Sequence, residues 1–252
     1  MKLFELNKFL EEKFTREYAC EWDNDGLMCA CDMQTEVKKV LCTLDVTDEA
    51  LAYAKENGFD TVISHHPMVF RPLGSITPEN HIANKVIFAL HNKINVFSFH
   101  TRFDAMPGGI NDLLAEKLEL SDVRSFGDGE SDMGRIGTVK ETDITTFCKY
   151  VKEKLGCNVV SFSKCSDTVK TVAVLGGAGK DFIKGAKAAG ADVLVSGELG
   201  YNNMAEAGEM GISLVEAGHF FTEDVACAYF KRMFDEFKIE NEYFSSNRIE
   251  VI

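Results

Sequence analysis

The stretch KVLCTLDVTDEALAYAKENGFDTVIS, residues 39–64, decides the fold class. It opens with an apolar run of strand length (39–46) and closes with a second one, TVIS (61–64). Between them Thr47 is suited to cap a helix with an acidic first turn, and Gly58 is suited to end it. Strand, helix and strand in this order form a βαβ unit, which predicts an α/β fold with parallel strands.

A second βαβ unit is predicted from residues 172–196. It contains a strand (172–175), a glycine-rich turn, a helix (181–189) and another strand (192–196). The two units match at a constant offset, since Ala54 aligns with Ala186 and Ser64 with Ser196, and 186 − 54 = 196 − 64 = 132. We therefore predict that the chain contains two related α/β halves.

A further strand follows each unit (95–99 and 212–215) and leads into a His-x-x-x-acid segment and a helix. The segments are His100 to Asp104 and His219 to Glu223, at a second offset of 219 − 100 = 223 − 104 = 119.

The glycine-rich stretch SFGDGESDMG (125–134) is predicted to separate the halves. We predict a metal-binding α/β domain from residues 1–125 plus 218–252 and a second α/β domain from 126–217. The metal site is expected at the carboxyl ends of strands, in the cleft between the two subdomains.

The composition excludes several classes of function. The chain has 252 residues and a formal charge of −13, so non-specific nucleic-acid binding is not expected. No apolar run approaches the ~20 residues of a membrane span, and residues 1–14 have the spacing of an amphipathic helix rather than of a signal peptide. The eight cysteines include no CxxC pair. These features predict a cytoplasmic protein that does not bind membranes.

Histidines and carboxylates are concentrated where predicted strands end. His65 and His66 follow TVIS, His100 and Asp104 follow the strand at 95–99, and His219 and Glu223 follow the strand at 212–215. In open parallel sheets ligands bind outside the carboxyl ends of strands. His219 and Glu223 lie four residues apart on one helix face, and Pro67 forces an extended turn at His66. Imidazoles together with carboxylates suit Zn, Fe, Mn or Ni better than Ca or Mg.

Each motif also has a simpler interpretation. A lone His-x-x-x-Glu is commonly an accident of surface composition, so the metal hypothesis depends on the convergence of three segments. Residues 176–181 (GGAGKD) lack the Walker pattern, because Val174 stands where it needs glycine and Asp181 where it needs Ser or Thr. We interpret these glycines as a strand-to-helix turn.

The duplication also makes a prediction about Glu198. At the offset of 132, the pair His65 and His66 aligns with Gly197 and Glu198. Glu198 is then expected near the metals as a carboxylate that orients a ligating histidine or a bound water. The alternative is that Ser-Gly-Glu merely ends a strand and Glu198 faces solvent.

Several motifs together resemble one family, and they span nearly the whole chain. In chain order they are WDNDGL (22–27), ISHHPMVF (63–70), HTRFDAMPGGIND (100–112), GRIGTV (134–139), GGAGKDFI (176–183), ADVLVSGE (191–198) and EAGHFFTE (216–223). This pattern resembles the NGG-interacting-factor-three-like proteins, also called GTP cyclohydrolase I type 2 homologues or dinuclear-metal-centre hexameric proteins.

The resemblance implies a homohexameric ring with two divalent transition-metal ions per subunit. It implies that the metal ligands are His65, His66, Asp104, His219 and Glu223, with Glu223 as the bridge, and it makes His100 a candidate general base or supporting group. The metal pairs of such a ring would face an inner cavity, and two departures from the family pattern concern the lining of that cavity. Arg102 replaces the usual Asn, and Tyr201-Asn202-Asn203 stands where a histidine is often found, so both positions are candidates for lining it.

The leading functional hypothesis is a metal-dependent hydrolase acting on a small molecule, in which two ions activate water and polarise a phosphoryl or carbonyl oxygen. The GTP cyclohydrolase label comes from the resemblance, since the chain has no separate purine-binding motif. One alternative is a non-catalytic metal-binding ring that serves as a scaffold or docks partners. Another is a redox protein that uses Cys29 and Cys31.

Overall fold

The structure is a computed structural model that describes residues 1–250. The strands are β1 (Gly26–Cys29), β2 (Lys39–Thr43), β3 (Thr61–Ser64), β4 (Asn95–Ser98), β5 (Ser121–Phe126), β6 (Gly134–Asp143), β7 (Ser161–Ser163), β8 (Thr168–Ala178), β9 (Val193–Glu198), β10 (Ser213–Glu216) and β11 (Glu240–Tyr243). The helices are α1 (Leu3–Lys13), α2 (Asp48–Glu56), α3 (His81–His91), α4 (Thr101–Ala105), α5 (Ile110–Lys117), α6 (Ile144–Leu155), α7 (Ile183–Ala188), α8 (Tyr201–Met210), α9 (His219–Glu223) and α10 (Val225–Glu236). None of the helices within residues 1–250 combines the length and the apolar character needed to cross a bilayer.

The chain forms two compact units, and the first of them is discontinuous in sequence. It contains Met1–Phe103 and Ala226–Arg248, whereas the second is built on Asp104–Val225. Compared with the predicted division into 1–125 plus 218–252 and 126–217, residues 104–125 and 218–225 lie in the second unit. The reason is their packing, because the α5 residue Leu114 and the nearby Leu118 belong to the hydrophobic core of that unit.

The glycine-rich stretch 125–134 does not separate the two units. It connects β5 to β6, which pair antiparallel inside the second unit, with Phe126 opposite Gly134. The glycines in this stretch therefore serve a hairpin connection, a role that has the same sequence signature as a linker.

The first unit contains a five-stranded sheet in the order β1-β4-β3-β2-β11. All neighbouring strands are parallel except β1, which pairs antiparallel with β4. Every residue of β3 and β4 is buried, as expected for strands covered on both faces. The parallel strands β3 and β4 end side by side at Ser64 and Ser98, which pair in register. The segments that follow these two residues carry His65, His66 and His100.

The second unit contains a six-stranded sheet in the order β5-β6-β8-β9-β10-β7. Its centre, β8-β9-β10, is parallel, while β5, β6 and β7 pair antiparallel with their neighbours. The carboxyl end of β10 leads through Ala217 and Gly218 into the short helix α9, which carries His219 and Glu223.

The local signals for the first βαβ unit are confirmed. The Thr47 side chain accepts a hydrogen bond from the backbone N–H of Ala50 at 3.0 Å and caps α2. Gly58 follows the helix with a φ of 72°, a left-handed conformation that costs glycine little. Gly190 has the same role after α7, with a φ of 91°.

The two units repeat the same internal hydrogen bonds at the predicted offset of 132. In the first unit, the Asp60 carboxylate accepts from the backbone N–H groups of Lys38 and Lys39. In the second, the Asp192 carboxylate accepts from the backbone N–H groups of residues 170 and 171 in the same way. Strand register repeats too, since Val40 pairs with Thr61 and residue 172 with residue 193. The βαβ duplication is therefore present in the backbone geometry.

The third strand of each repeat corrects the second offset. Asn95 pairs with residue 61 and Ser213 with residue 193, so the equivalent positions differ by 213 − 95 = 118. Helices α4 and α9 differ by the same amount, 219 − 101 = 118. The prediction of 119 is wrong by one residue, and the position equivalent to His219 is Thr101 rather than His100. The two histidines therefore occupy neighbouring rather than equivalent positions of the repeat, which a comparison of the sequence alone could not distinguish.

Candidate metal centre

Three histidines of the first unit come together where β3 and β4 end. His65, His66 and His100 each offer a ring nitrogen, and these atoms all lie within 4.8 Å of one another. The ring centroids are 5.0 Å apart for His65 and His66 and 5.2 Å apart for His65 and His100. His65 is fully buried, whereas His66 and His100 are partly exposed. This group can hold a metal ion.

The Nδ1 atom of each of these rings faces a hydrogen-bond acceptor. For His65 the acceptor is the backbone carbonyl of Phe99 at 2.8 Å. For His66 it is Asp45 Oδ1 at 2.7 Å, and for His100 it is Asp23 Oδ1 at 3.0 Å. A carbonyl or an ionised carboxylate can only accept, so each of these rings, when neutral, carries its proton on Nδ1 and its lone pair on Nε2. Histidines that bind metals are commonly oriented in this way.

Asp45 is held in turn by the C-terminal part of the first unit. The hydroxyl of Ser246 donates to Asp45 Oδ2 at 3.1 Å and accepts from the backbone N–H of Asp45 at 3.2 Å. The backbone N–H of Phe244, just after β11, donates to the carbonyl of Cys42 at 2.9 Å. The orientation of His66 therefore depends on a segment 180 positions later in the chain (246 − 66 = 180).

Asp23 supports His100 from a buried position. Its Oδ2 accepts from the backbone N–H and the hydroxyl of Thr101, at 3.0 and 2.6 Å. Burial by itself would raise the pKa of Asp23, but the hydrogen bond from His100, the charge of that ring when it is protonated, and the Thr101 contacts lower it to about 2. Asp23 is therefore a carboxylate at neutral pH and acts only as an acceptor.

In the second unit His219 and Glu223 lie on one face of α9, as predicted. His219 Nε2 is 3.0 Å from Glu223 Oε2. His219 Nδ1 is 2.9 Å from Oε1 of Glu198, the last residue of β9. Glu223 is buried, while the Glu198 side chain is 63% exposed and still reaches the imidazole. The predicted contact of Glu198 with a site histidine is present.

Gly177 makes room for these side chains. A Cβ at this position would clash with Glu223 Oε1 and lie 3.1 Å from His219 Nε2. The residue has a φ of 64°, and its N–H donates to the Thr222 hydroxyl at 3.1 Å. The sequence predicts that the glycines of 176–181 form a strand-to-helix turn. The structure shows β8 continuing to Ala178. Gly177 therefore lies within the strand, where its backbone comes close to the side chains of Glu223 and His219.

Asp104 lies in the same unit, close to Glu223. Carboxylate oxygens of the two residues are within 4.8 Å of each other, and Asp104 is buried. Asn111, at the start of α5, donates to the backbone carbonyl of Asp104 at 3.2 Å and accepts from the Gly176 N–H at 2.8 Å. Asn111 therefore holds the segment of Asp104 against the end of β8. Asn111 is not among the site residues predicted from the sequence.

Arg102 was expected to line the inner cavity, as were residues 201–203. The expectation for Arg102 is wrong, because its side chain is buried inside the first unit. Its side chain is fully buried, and Nε donates to Asp25 Oδ2 at 2.8 Å while Nη1 donates to Glu11 Oε2 at 3.0 Å. The guanidinium lies 4.9 Å from the ring centroid of Phe99. Burial would lower the pKa of Arg102, but these two acids raise it. At the other position Tyr201 begins α8 and is 85% exposed.

The cysteine pair offers little support for the redox alternative. Cys29 and Cys31 are both free thiols. Burial, and to a smaller extent the neighbouring Cys31, raises the pKa of Cys29 to about 12. Redox-active cysteines have lowered thiol pKa values, so Cys29 has the opposite property.

Both units carry side chains of the kinds that hold metal ions. Imidazole Nε2 atoms and buried carboxylates are ligands of the borderline and harder divalent ions, and their Nδ1 partners are already in place. The space that Gly177 leaves at Glu223 is a second sign of fit, because a side chain there would displace the carboxylate. Of the expected ligands, His65 and His66 lie in the first unit, and Asp104, His219 and Glu223 lie in the second.

Comparisons with known proteins give the family. A family model described as Duf34/NIF3 (NGG1p interacting factor 3) matches residues 1–250. A Clostridium perfringens protein named GTP cyclohydrolase 1 type 2 homolog is 32% identical, with 88% of this chain and 87% of that protein covered. A Methanocaldococcus jannaschii protein of the same name is also 32% identical, covering 92% and 93%.

Solved structures agree with this assignment. Reduced HcgD from Methanocaldococcus jannaschii has a TM-score of 0.83 and 29% identity, with 97% of both chains covered. A Bacillus cereus protein related to NIF3 has a TM-score of 0.87 at 21% identity, covering 100% of this chain and 99% of that one, which supports the fold. The family model and the relatives span nearly the whole sequence, and the chain belongs to the Duf34/NIF3 family.

Proposed function

We propose that this protein binds two divalent transition-metal ions through His65, His66, Asp104, His219 and Glu223 and is a metal-dependent hydrolase. The observation that carries the proposal is the common orientation of the histidines. Each of them has its Nδ1 against an acceptor, and in three cases the acceptor is a carboxylate. For His65, His66 and His100 the ring then presents Nε2 as a ligand or as a base, whereas Nε2 of His219 lies 3.0 Å from Glu223 Oε2, which places these two side chains as neighbouring ligands. Such orienting partners are characteristic of metal sites.

Glu223 is the proposed bridging ligand. It is buried, its Oε2 lies 3.0 Å from His219 Nε2, and its Oε1 occupies the space that Gly177 leaves open. The two oxygens thus lie against different groups, which suits a carboxylate shared by two ions. Three imidazoles and two carboxylates favour Zn, Fe, Mn or Ni over Ca or Mg.

When bound, the ions would lower the pKa of water and polarise a phosphoryl or carbonyl oxygen of the substrate. The residues of the chain would supply orientation and proton transfer. We assign His100 the role of general base, because its Nε2 is the basic nitrogen and its ring lies among His65 and His66. Asp45 and Glu198 would keep His66 and His219 in the ligating tautomer.

The substrate class is suggested by the relatives, which are named GTP cyclohydrolase 1 type 2 homologs. GTP is therefore the first compound to test, followed by other nucleotides, phosphodiesters and cyclic amides. A name shared among relatives does not by itself assign a reaction to a site, so the wider set is needed.

The test is an activity screen of the metal-loaded protein beside a Glu223→Gln variant. Glutamine keeps the shape of the side chain and removes the negative charge that a bridging ligand needs. We expect turnover of at least one compound by the wild type and its loss in the variant. If a fully loaded wild type turns over none of them, the hydrolase proposal fails and the alternative of a non-catalytic metal-binding ring is favoured.

We also propose that the subunits assemble as a homohexamer, as the family resemblance implies. The expected mass in light scattering is close to six times 28.0 kDa. A protein that remains monomeric at micromolar concentration would contradict an obligate hexamer.

A further inference from the structure

We infer that Asp23 is a positioning residue for His100, which it holds in the tautomer that has the proton on Nδ1 and the lone pair on Nε2. The inference rests on the proposed role of His100 as the base. Asp23 stands in the WDNDGL motif, 77 residues before His100, and belongs to no predicted set of site residues.

The two oxygens of Asp23 have separate partners. Oδ2 accepts from the backbone N–H of Thr101 at 3.0 Å and from its hydroxyl at 2.6 Å. Oδ1 accepts from His100 Nδ1 at 3.0 Å. The Asp23 side chain is 1% exposed, whereas that of His100 is 20% exposed. The buried Asp23 carboxylate thus binds His100 at Nδ1, and Nε2 on the opposite edge of the ring is the atom that would accept a proton.

The loop that carries Asp23 is fixed on both sides. The backbone N–H of Cys20 donates to the Thr101 hydroxyl at 3.0 Å, and Asn24 Nδ2 donates to the carbonyl of Val69 at 2.5 Å. The Asp23 carboxylate is therefore held in place by contacts of the protein itself. Such preorganisation is what a base needs if its proton acceptor is to remain on one nitrogen.

A structural reading of Asp23 is that it only caps the start of α4 through Thr101. The two readings differ in what Asp23→Asn would do. The backbone N–H of Thr101 is a fixed donor, so the amide oxygen of the new side chain should stay on Thr101. Its NH₂ group then faces His100 Nδ1, which has to accept. The ring proton moves to Nε2 and the base is lost, although the contact with α4 persists.

The experiment is solid-state NMR of the full-length protein labelled with ring-¹⁵N histidine, stripped of metal and held at about pH 8, above the ordinary histidine pKa of about 6.5. The chain has six histidines, so the His100 signals are assigned by their absence in His100→Gln. We expect protonated Nδ1 and unprotonated Nε2 for His100 in the wild type, and the reverse in Asp23→Asn. Thr101→Val is the matched control, because it keeps the backbone donor and should leave the tautomer unchanged.

Two results would overturn the inference. One is a wild-type His100 with its proton on Nε2, which needs no variant to be seen and so holds even if Asp23→Asn does not fold. The other is an Asp23→Asn variant, folded by circular dichroism, that keeps the wild-type tautomer.

Metal content separates this inference from the proposed function. Asp23→Asn should retain its bound ions, and any hydrolase activity found should fall by about 10²- to 10⁴-fold in kcat. Loss of the ions instead would show that His100 is a ligand and would contradict its role as base. If the activity screen finds no turnover, the tautomer result still decides the role of Asp23.

Discussion

Glu198 Oε1 lies 2.9 Å from Nδ1 of His219, so the last residue of β9 orients the first residue of α9. The internal duplication predicts a carboxylate at position 198 that orients a site histidine, because the offset of 132 places it opposite His66. The relationship links the repeat of the fold to the chemistry of the site. In the first unit His66 has an analogous partner in Asp45, which reaches it from a different strand end.

This relationship predicts the effect of removing the Glu198 carboxylate. Glu198→Ala should weaken metal binding by about 10- to 100-fold, since His219 would lose the acceptor that fixes its tautomer. The measurement is a competition titration against a chelator of known affinity. Glu209→Ala, at an exposed position on α8 in the same unit, is the control and should bind as the wild type does. Equal affinity of both variants would mean that the Glu198 contact has no influence on the site.

Gly177 gives a prediction that separates backbone strain from obstruction of the site. Gly177→Ala should abolish or greatly reduce metal binding, because the new Cβ would clash with Glu223 Oε1. Gly156→Ala is the matched control, since Gly156 has a similar φ of 72° and no atom within 4 Å of an added Cβ. Both variants should lose about 1–2 kcal/mol of unfolding free energy from the left-handed backbone.

Chemical denaturation and metal analysis of the same two samples provide the readouts. If Gly156→Ala lost metal to the same extent, the loss would be a general effect of destabilisation. If Gly177→Ala bound metal normally, the position of Glu223 would not matter for binding.

Replacement of the buried Arg102 is expected to lower the free energy of unfolding substantially. Arg102→Met leaves the buried Asp25 carboxylate without the guanidinium that faces it at 2.8 Å, and this should cost about 3–5 kcal/mol. The double variant Arg102→Met/Asp25→Asn should recover part of that loss, because the buried negative charge is gone. Urea unfolding at one fixed protein concentration measures both. A single variant within about 0.5 kcal/mol of the wild type would show that this buried network contributes little.

The parts of the fold that could be predicted from the sequence are those set by interactions between residues close together in the chain. Thr47, Gly58 and Gly190 carry local signals, and the structure confirms the elements that they delimit. The helix predicted at 181–189 begins instead with a 3₁₀ turn at Lys180–Phe182, since β8 extends further than a tight glycine turn would allow.

The carboxylates that orient the histidines were harder to find. Asp45 is 21 residues from His66 and Asp23 is 77 residues from His100, and neither pair has a spacing that marks a contact. Glu198 could be predicted only because the duplication aligns it with His66 at the offset of 132. Arg102 was misinterpreted for a related reason, since its partners Asp25 and Glu11 lie far away in sequence and the burial of an arginine has no local signature.

The raised pKa of Cys29 predicts that its thiol reacts slowly with alkylating agents. With its pKa raised to about 12, it should resist iodoacetamide at about pH 8, whereas the exposed Cys31 and Cys165 should be alkylated. Peptide mapping by mass spectrometry gives the extent of modification at each residue. Rapid labelling of Cys29, or activity that depends on thiols and survives metal removal, would revive the redox alternative.

Elemental analysis of metal bound per subunit tests the central claim most directly. Protein purified without chelator and then fully loaded should contain close to two divalent transition ions per subunit. Glu223→Ala should lower the binding of both ions, because a bridging ligand serves both, whereas Asp104→Ala should mainly affect one. A wild-type protein that cannot be loaded beyond one ion per subunit would contradict the dinuclear site, and so would a Glu223→Ala variant that retains two.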